Sequence, residues 1–366
     1  MLLLHYLNVM KNKPSGLSFL LLLFILSCNQ EVYYTEADFA KVQKFDTHIH
    51  IYSKSSAVSD QAAADNFRMV NVSVDQGEPT LQQQEEFSHY QMQAHPGQIV
   101  YITAFDLEHW HSAQWADETI TRLENSFRLG ALGIKIWKNI GMVEKDSASN
   151  LIMIDNPRFD PVIQYVVSQN KTVMGHLGEP LNCWLPVEEM TVNNDRNYFA
   201  RHPEYHMYKH PEFPSHADQI RARDCLLARH PNMRFVGAHL GSLEYNIDSL
   251  AARFDRFPNM AVDMAARICH LQYQSQTDRE RVRNFIIRYQ DRLIYASDQG
   301  MVDGDNAESV KANLHASWVN DWKYLATDKM MSAEEVNGNF QGLQLPKTVI
   351  NKIYYQNAIN WFGVPD

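Results

Sequence analysis

From Lys44 onward the chain alternates short apolar runs with amphipathic stretches of helical period, and this alternation restricts it to parallel β/α architectures. Eight runs read as strands: KFDTHI from Lys44, FRMVNVSV from Phe67, QIVYITAF from Gln98, LGIKIW from Leu132, KTVMGH from Lys171, MRFVGAH from Met233, NMAVDM from Asn259 and RLIYASD from Arg292. Helical patterns fall between them over 117–129, 160–169, 216–229, 242–257, 277–289 and 307–326, with a last one over 346–361. Eight strands, each followed by a helix, predict an α/β protein with a closed (β/α)8 TIM barrel. A doubly wound sheet is the alternative, but no glycine-rich phosphate turn follows the first strand. The length of 366 residues suits one such barrel with insertions.

One connection is too long for a barrel loop. About 40 residues, Leu177 to Ser215, separate the fifth strand from the next helix, and they are rich in Asn, His, Tyr and Pro. So many aromatic residues argue against disorder. The insertion leaves the C-terminal rim, so a lid over the active site is expected over 177–215, with a packed structural excursion as the plainer alternative.

The N-terminal segment reads as an export signal. Lys11 and Lys13 precede the apolar run Leu17 to Leu26, which is short for a bilayer span and ends at Ser27-Cys28. Ile25-Leu26-Ser27-Cys28 resembles a bacterial lipobox. The expectation is a signal over 1–27, possible starts at Met1 or Met10, a lipid on Cys28, a tether over 28–43 and the barrel over 44–366. The protein is then an exported lipoprotein, held to a membrane on its periplasmic or cell-surface side by that anchor alone. An ordinary secretory signal with an incidental cysteine is the alternative. Cys183, Cys225 and Cys269 are scattered, imply no disulfide framework, and each read as a small buried residue. A net charge of −10 gives no footprint for nucleic acid.

Barrel enzymes place catalytic groups at the C-terminal ends of strands. The first strand ends Asp46-Thr47-His48-Ile49-His50, and two histidines at i and i+2 share one strand face, where both imidazoles can meet one metal. The fifth strand ends in His176, the sixth in His239 and the eighth in Asp298. Taken singly, each has an ordinary reading as a hydrogen-bonded histidine or a capping aspartate. Four strands that all end in a metal-competent residue are harder to reach by chance.

FDTHIH, LGIKIW, VMGHLGEP, FVGAHLGS and LIYASD, in this order, resemble the amidohydrolase superfamily and specifically its amidohydrolase-2 branch, from about Phe45 to Trp361. The resemblance implies that His48, His50, His176 and Asp298 bind a divalent metal, zinc first, one ion or two. It implies that His239 positions and polarises the attacking water or binds a second metal. Lys135 is then either a carbamylated bridge between two metals or a fixed positive charge for the substrate. Glu179 and Arg267 are expected near the mouth, and Trp137, Lys138, Tyr198, Tyr205, His206 and His216 are candidates for shaping the substrate pocket.

A bound divalent cation lowers the pKa of its water from about 15.7 to about 7. A carboxylate touching that water can take its proton and pass it to the leaving group, and Asp298 is placed for this. The leading expectation is a hydrolase of an ester, lactone or amide bond in a small molecule. The alternatives are a metal-dependent decarboxylase or lyase of a small carboxylic acid, and a binding lipoprotein without activity. The complete donor set argues against the last, because binding alone gives no reason to keep Asp298.

Overall fold

The computed structural model describes residues 32–364; the signal segment and Cys28 lie outside the described residues. The expected barrel forms. Its strands are β1 (Lys44–Tyr52), β2 (Phe67–Val72), β3 (Ile99–Ala104), β4 (Gly133–Ile136), β5 (Thr172–Gly175), β6 (Phe235–Gly237), β7 (Met260–Asp263), β8 (Leu293–Ile294) and β9 (Gly300–Val302). They lie in the order β8-β7-β6-β5-β4-β3-β2-β1-β9, all parallel. The eighth expected strand is split: β8 pairs with β7, β9 pairs with β1, and the segment between them carries Asp298. That segment closes the ring, since Thr47 N–H donates to Tyr295 O (3.2 Å), Asp298 N–H to His48 O (2.9 Å) and His50 N–H to Gln299 O (2.9 Å).

Two apolar layers follow from strand alternation. Phe45, Val70, Val72, Ile102, Met174, Val236, Ala261 and Ile294 pack into the barrel interior, with Phe362 of the C-terminal helix against them. Met69, Ile134, Val173, Phe235, Val262 and Leu293 face the surrounding helices. β1 breaks the simple alternation. Phe45 belongs to the inner layer, yet Ile49 and Ile51 belong to the outer one. The parity changes where the β1–β2 register slips between Asp46 and Ile49. This bulge is what lets His48 and His50 point inward above Phe45.

Polar residues begin the helices. Thr80 and Ser215 form capping boxes with Gln83 and Asp218, at the heads of Leu81–Ala94 and His216–Arg229. Two helix starts differ from those predicted, and one hairpin was not predicted at all. The helix expected from Ser242 starts at Ile247, because residues 239–242 form a left-handed turn and Asn246 caps the helix. The helix expected from Thr277 begins at Ile268 and is interrupted at Asp278, whose backbone is extended. A hairpin, β10 (Met330–Ala333) and β11 (Val336–Gln341), follows the helix Ala307–Ala326 and was not foreseen. Cys183 and Cys269 are buried as expected, whereas Cys225 is exposed on an outer helix. No helix among the described residues is long and apolar enough to cross a membrane.

Candidate metal centre

The strand ends bring the expected residues to one place. His48 and His50 come from β1, His176 follows β5, His239 follows β6, and Asp298 sits between β8 and β9. Two of them have backbones in the left-handed region, His239 (φ 60°) and Asp298 (φ 66°). Such conformations are costly for residues with a side chain and persist where the surroundings over-determine them.

Hydrogen bonds set the histidine tautomers. His48 Nδ1 lies 2.9 Å from Asp263 Oδ2, and His239 Nδ1 lies 2.9 Å from Ala265 O. His50 Nδ1 lies 2.8 Å from Val72 O, with Tyr52 Oη also at 2.9 Å. A carboxylate or carbonyl oxygen only accepts, so each Nδ1 carries the proton and each Nε2 presents a lone pair.

Those lone pairs converge. His48 Nε2 is 3.5 Å and His50 Nε2 is 3.4 Å from Asp298 Oδ1. His48, His239 and Asp298 offer ligand atoms that all lie within 4.8 Å of one another. The His176 ring centre is 4.2 Å from that of His239, and its buried Nε2 has no hydrogen-bond partner; Glu179 Oε2 lies 3.4 Å away outside hydrogen-bond geometry. An unsatisfied imidazole nitrogen beside three converging donors is what a divalent metal site requires, and a nitrogen and oxygen donor set suits zinc, manganese or iron.

Burial opposes a positive charge on His48, His176 and His239. It holds His48 and His239 well below the usual histidine range and brings His176 down to about 4. Burial alone would raise Asp298, but His239, His48 and His50 outweigh it and hold the carboxyl well below its ordinary value. Lys135, from β4, is also brought to this centre: its Nζ is 3.1 Å from His48 Nε2 and 3.4 Å from Met174 Sδ. Burial lowers its amine to about 8.

The insertion 177–215 folds into short 3-10 turns and one helix, Asn193–Arg201, and brings Tyr198 and Tyr205 beside Lys138. Lys138 Nζ lies 5.8, 5.5 and 5.0 Å from the ring centres of Trp137, Tyr198 and Tyr205. The same amine forms a buried ion pair with Glu179. Arg267 sits 3.8 Å from both Glu179 and Asp195, and Asp195 also meets His270 at 3.0 Å. Trp137, Lys138, Tyr198, Tyr205, Glu179 and Arg267 thus form one assembly beside His176. His206 and His216 do not join it, because their Nε2 atoms are each 2.8 Å from a backbone carbonyl, of Leu185 and Ser242.

Sequence reading missed Asp263, Asp195 and His270. Asp263 is buried and accepts from His48, from the His239 backbone N–H at 2.7 Å and from the Ala265 backbone N–H at 3.1 Å. Its signal was present, an acid ending the apolar run of the seventh strand. Asp195 and His270 had no such signal, being joined only by the folding of the insertion.

Comparison with curated proteins gave no match. Among solved structures, dihydroorotase from Saccharomyces cerevisiae in complex with 5-fluoroorotic acid is 12% identical, with a TM-score of 0.49, over 88% of this chain and 85% of that one. An amidohydrolase 2 from Bifidobacterium longum subsp. infantis is 12% identical, with a TM-score of 0.40, over 88% of this chain and 100% of that one. A uronate isomerase from Bacillus halodurans is 10% identical, with a TM-score of 0.46, over 84% and 68%. The amidohydrolase family profile matches residues 45–364, which takes in every strand of the barrel and each of the converging donors, and the chain belongs to that family.

Proposed function

We propose that this amidohydrolase is a zinc-dependent hydrolase that cleaves an ester, lactone or amide bond in a small molecule. The observation that carries the reading is the convergence of lone-pair-bearing Nε2 atoms with an ionised Asp298. His48, His50, His176 and Asp298 would hold the metal, with His239 as a further ligand or as the group that orients water. A divalent cation held there supplies the Lewis acidity that makes water nucleophilic at neutral pH. Asp298 is the proton acceptor, being ionised, half-buried and open to the cleft beside it. Asp263 fixes His48 by its side chain and His239 by its backbone, so both imidazoles are oriented before substrate arrives.

Decarboxylation of a small acid on the same centre is the second reading, and the charge arrangement supports it less. Lys138 is neutralised by Glu179, and Arg267 lies between Glu179 and Asp195. Among the described cations beside the centre, only Lys135 is left without a carboxylate of its own for a substrate carboxylate. The test is a panel of lactones, esters, amides and carboxylated aromatics with zinc-loaded protein, following incorporation of labelled water oxygen and release of CO2 separately. Oxygen incorporation without CO2 is expected; CO2 release without hydrolysis overturns the reading.

A further inference from the structure

A cleft of about 820 Å3 reaches Asp298 from the side of β8. Its walls are the insertion helix at Asn194, the helix Ile268–Arg288, one face of the helix Ala307–Ala326, and residues 332–335 of the hairpin. The insertion and hairpin are tied together: Asn193 N–H donates to Glu335 O at 2.8 Å, and its side-chain amide donates to Glu334 O at 3.0 Å. None of the described residues lining the cleft is Lys, Arg or His, and four are acidic.

Gln272 is the unusual member. It is only 5% exposed, it lines this cleft, and its amide has no hydrogen-bond partner among the described residues. The side chain is buried along its stem while the amide itself keeps solvent access, so its donor and its acceptor are both free for a ligand in the cleft. Across the cleft, Asn313, Ser317 and Asn320 share one helix face at spacings that add further uncharged donors and acceptors. An amide both donates and accepts, as a hydroxyl does. A carboxylate only accepts, and here it would meet Asp298, Asp321, Glu334 and Glu335. An ammonium only donates and would leave the amide N–H groups unused.

We propose that this cleft takes the non-reacting part of the substrate, a neutral hydroxyl-bearing chain or ring, and that Gln272 is the residue that reads a hydroxyl on it. The inference rests on the hydrolase reading of the adjoining centre. It is tested with the full zinc-loaded chain and with lactones, esters and amides that carry a hydroxymethyl, methyl or carboxylate substituent at one matched position. The hydroxymethyl member should exceed the carboxylate member at least about tenfold in kcat/KM, the scale of one hydrogen bond. Gln272→Met should raise KM for the hydroxymethyl member about tenfold more than for the methyl member, with no fall in Tm. Equal use of the carboxylate member, or a Gln272→Met variant that loses Tm and affects both members alike, overturns the proposal while leaving hydrolysis standing. If no bond class is cleaved, the hydrolase reading falls, and saturation-transfer NMR on the metal-free chain still decides the cleft. Erythritol should receive saturation from the wild type and not from Gln272→Met, whereas propionate should receive none; the reverse order overturns the proposal.

Discussion

Asp263 Oδ2 lies 2.9 Å from His48 Nδ1, and the other oxygen of the same carboxylate accepts the backbone N–H of His239 at 2.7 Å. One side chain therefore orients two residues of the candidate metal centre. Asp263→Asn presents an N–H to one of these donors and leaves it unpaired. The expected result is a loss of about 10- to 100-fold in zinc affinity, the usual cost of disturbing such an outer partner. Competition with a chelator measures it, and unchanged affinity would contradict the role.

Lys138 and Glu179 form a buried pair beside His176, and each is less than one-tenth exposed. Burial opposes the charge of both, but each partner holds the other ionised, so Glu179 stays well below its ordinary range and Lys138 well above. Lys138→Met should cost up to about 3–5 kcal/mol of stability, because it leaves the buried Glu179 carboxylate with the more distant Arg267, at 3.8 Å, as its cation. Adding Glu179→Gln should restore part of that loss. Denaturant unfolding of both single variants and the double variant measures the coupling.

His216 anchors the end of the insertion through Ser242 O, and burial brings its pKa down to about 4 from 6.5. A histidine depressed in the folded state binds fewer protons there than in the unfolded chain. Its contribution to stability is present above pH 6.5 and is lost as pH falls from 6.5 towards about 4. His216→Gln, which cannot take up that proton, should flatten the fall in Tm over this window. Identical slopes in both proteins would exclude the group as a source of acid sensitivity.

Much of the fold was legible because the barrel repeats one unit, and alternation alone located the strands of β1 to β8. His48, His50, His176, His239 and Asp298 were legible for a related reason, since each ends an apolar run. The left-handed turn 239–242 was not, because nothing local in His-Leu-Gly-Ser marks positive φ at four successive residues. The hairpin Met330–Gln341 carries Asn337-Gly338, which reads as a turn, yet the chain reverses at Glu334-Glu335 and Gly338 lies inside β11. The Asp195–His270 contact joins residues 75 apart in the chain, and no local pattern encodes that distance.

The lipid anchor proposed at Cys28 is open to a direct test. Labelled palmitate should tag the protein expressed in a bacterial host, and Cys28→Ala should abolish the tag. Label retained by the variant would remove the anchor from the account.

The central claim is that this site holds a divalent metal, and the bound zinc per chain after reconstitution and exhaustive dialysis tests it most directly. Wild-type protein should retain one equivalent, or two if Lys135 bridges a pair. Asp298→Asn should lower both zinc content and rate, the rate by at least about 10²-fold, the low end for a lost general base. With one metal, His239→Asn should keep the zinc and lose turnover; with two, it and Lys135→Ala should each release about one equivalent. Wild-type protein that retains no divalent metal would contradict the account.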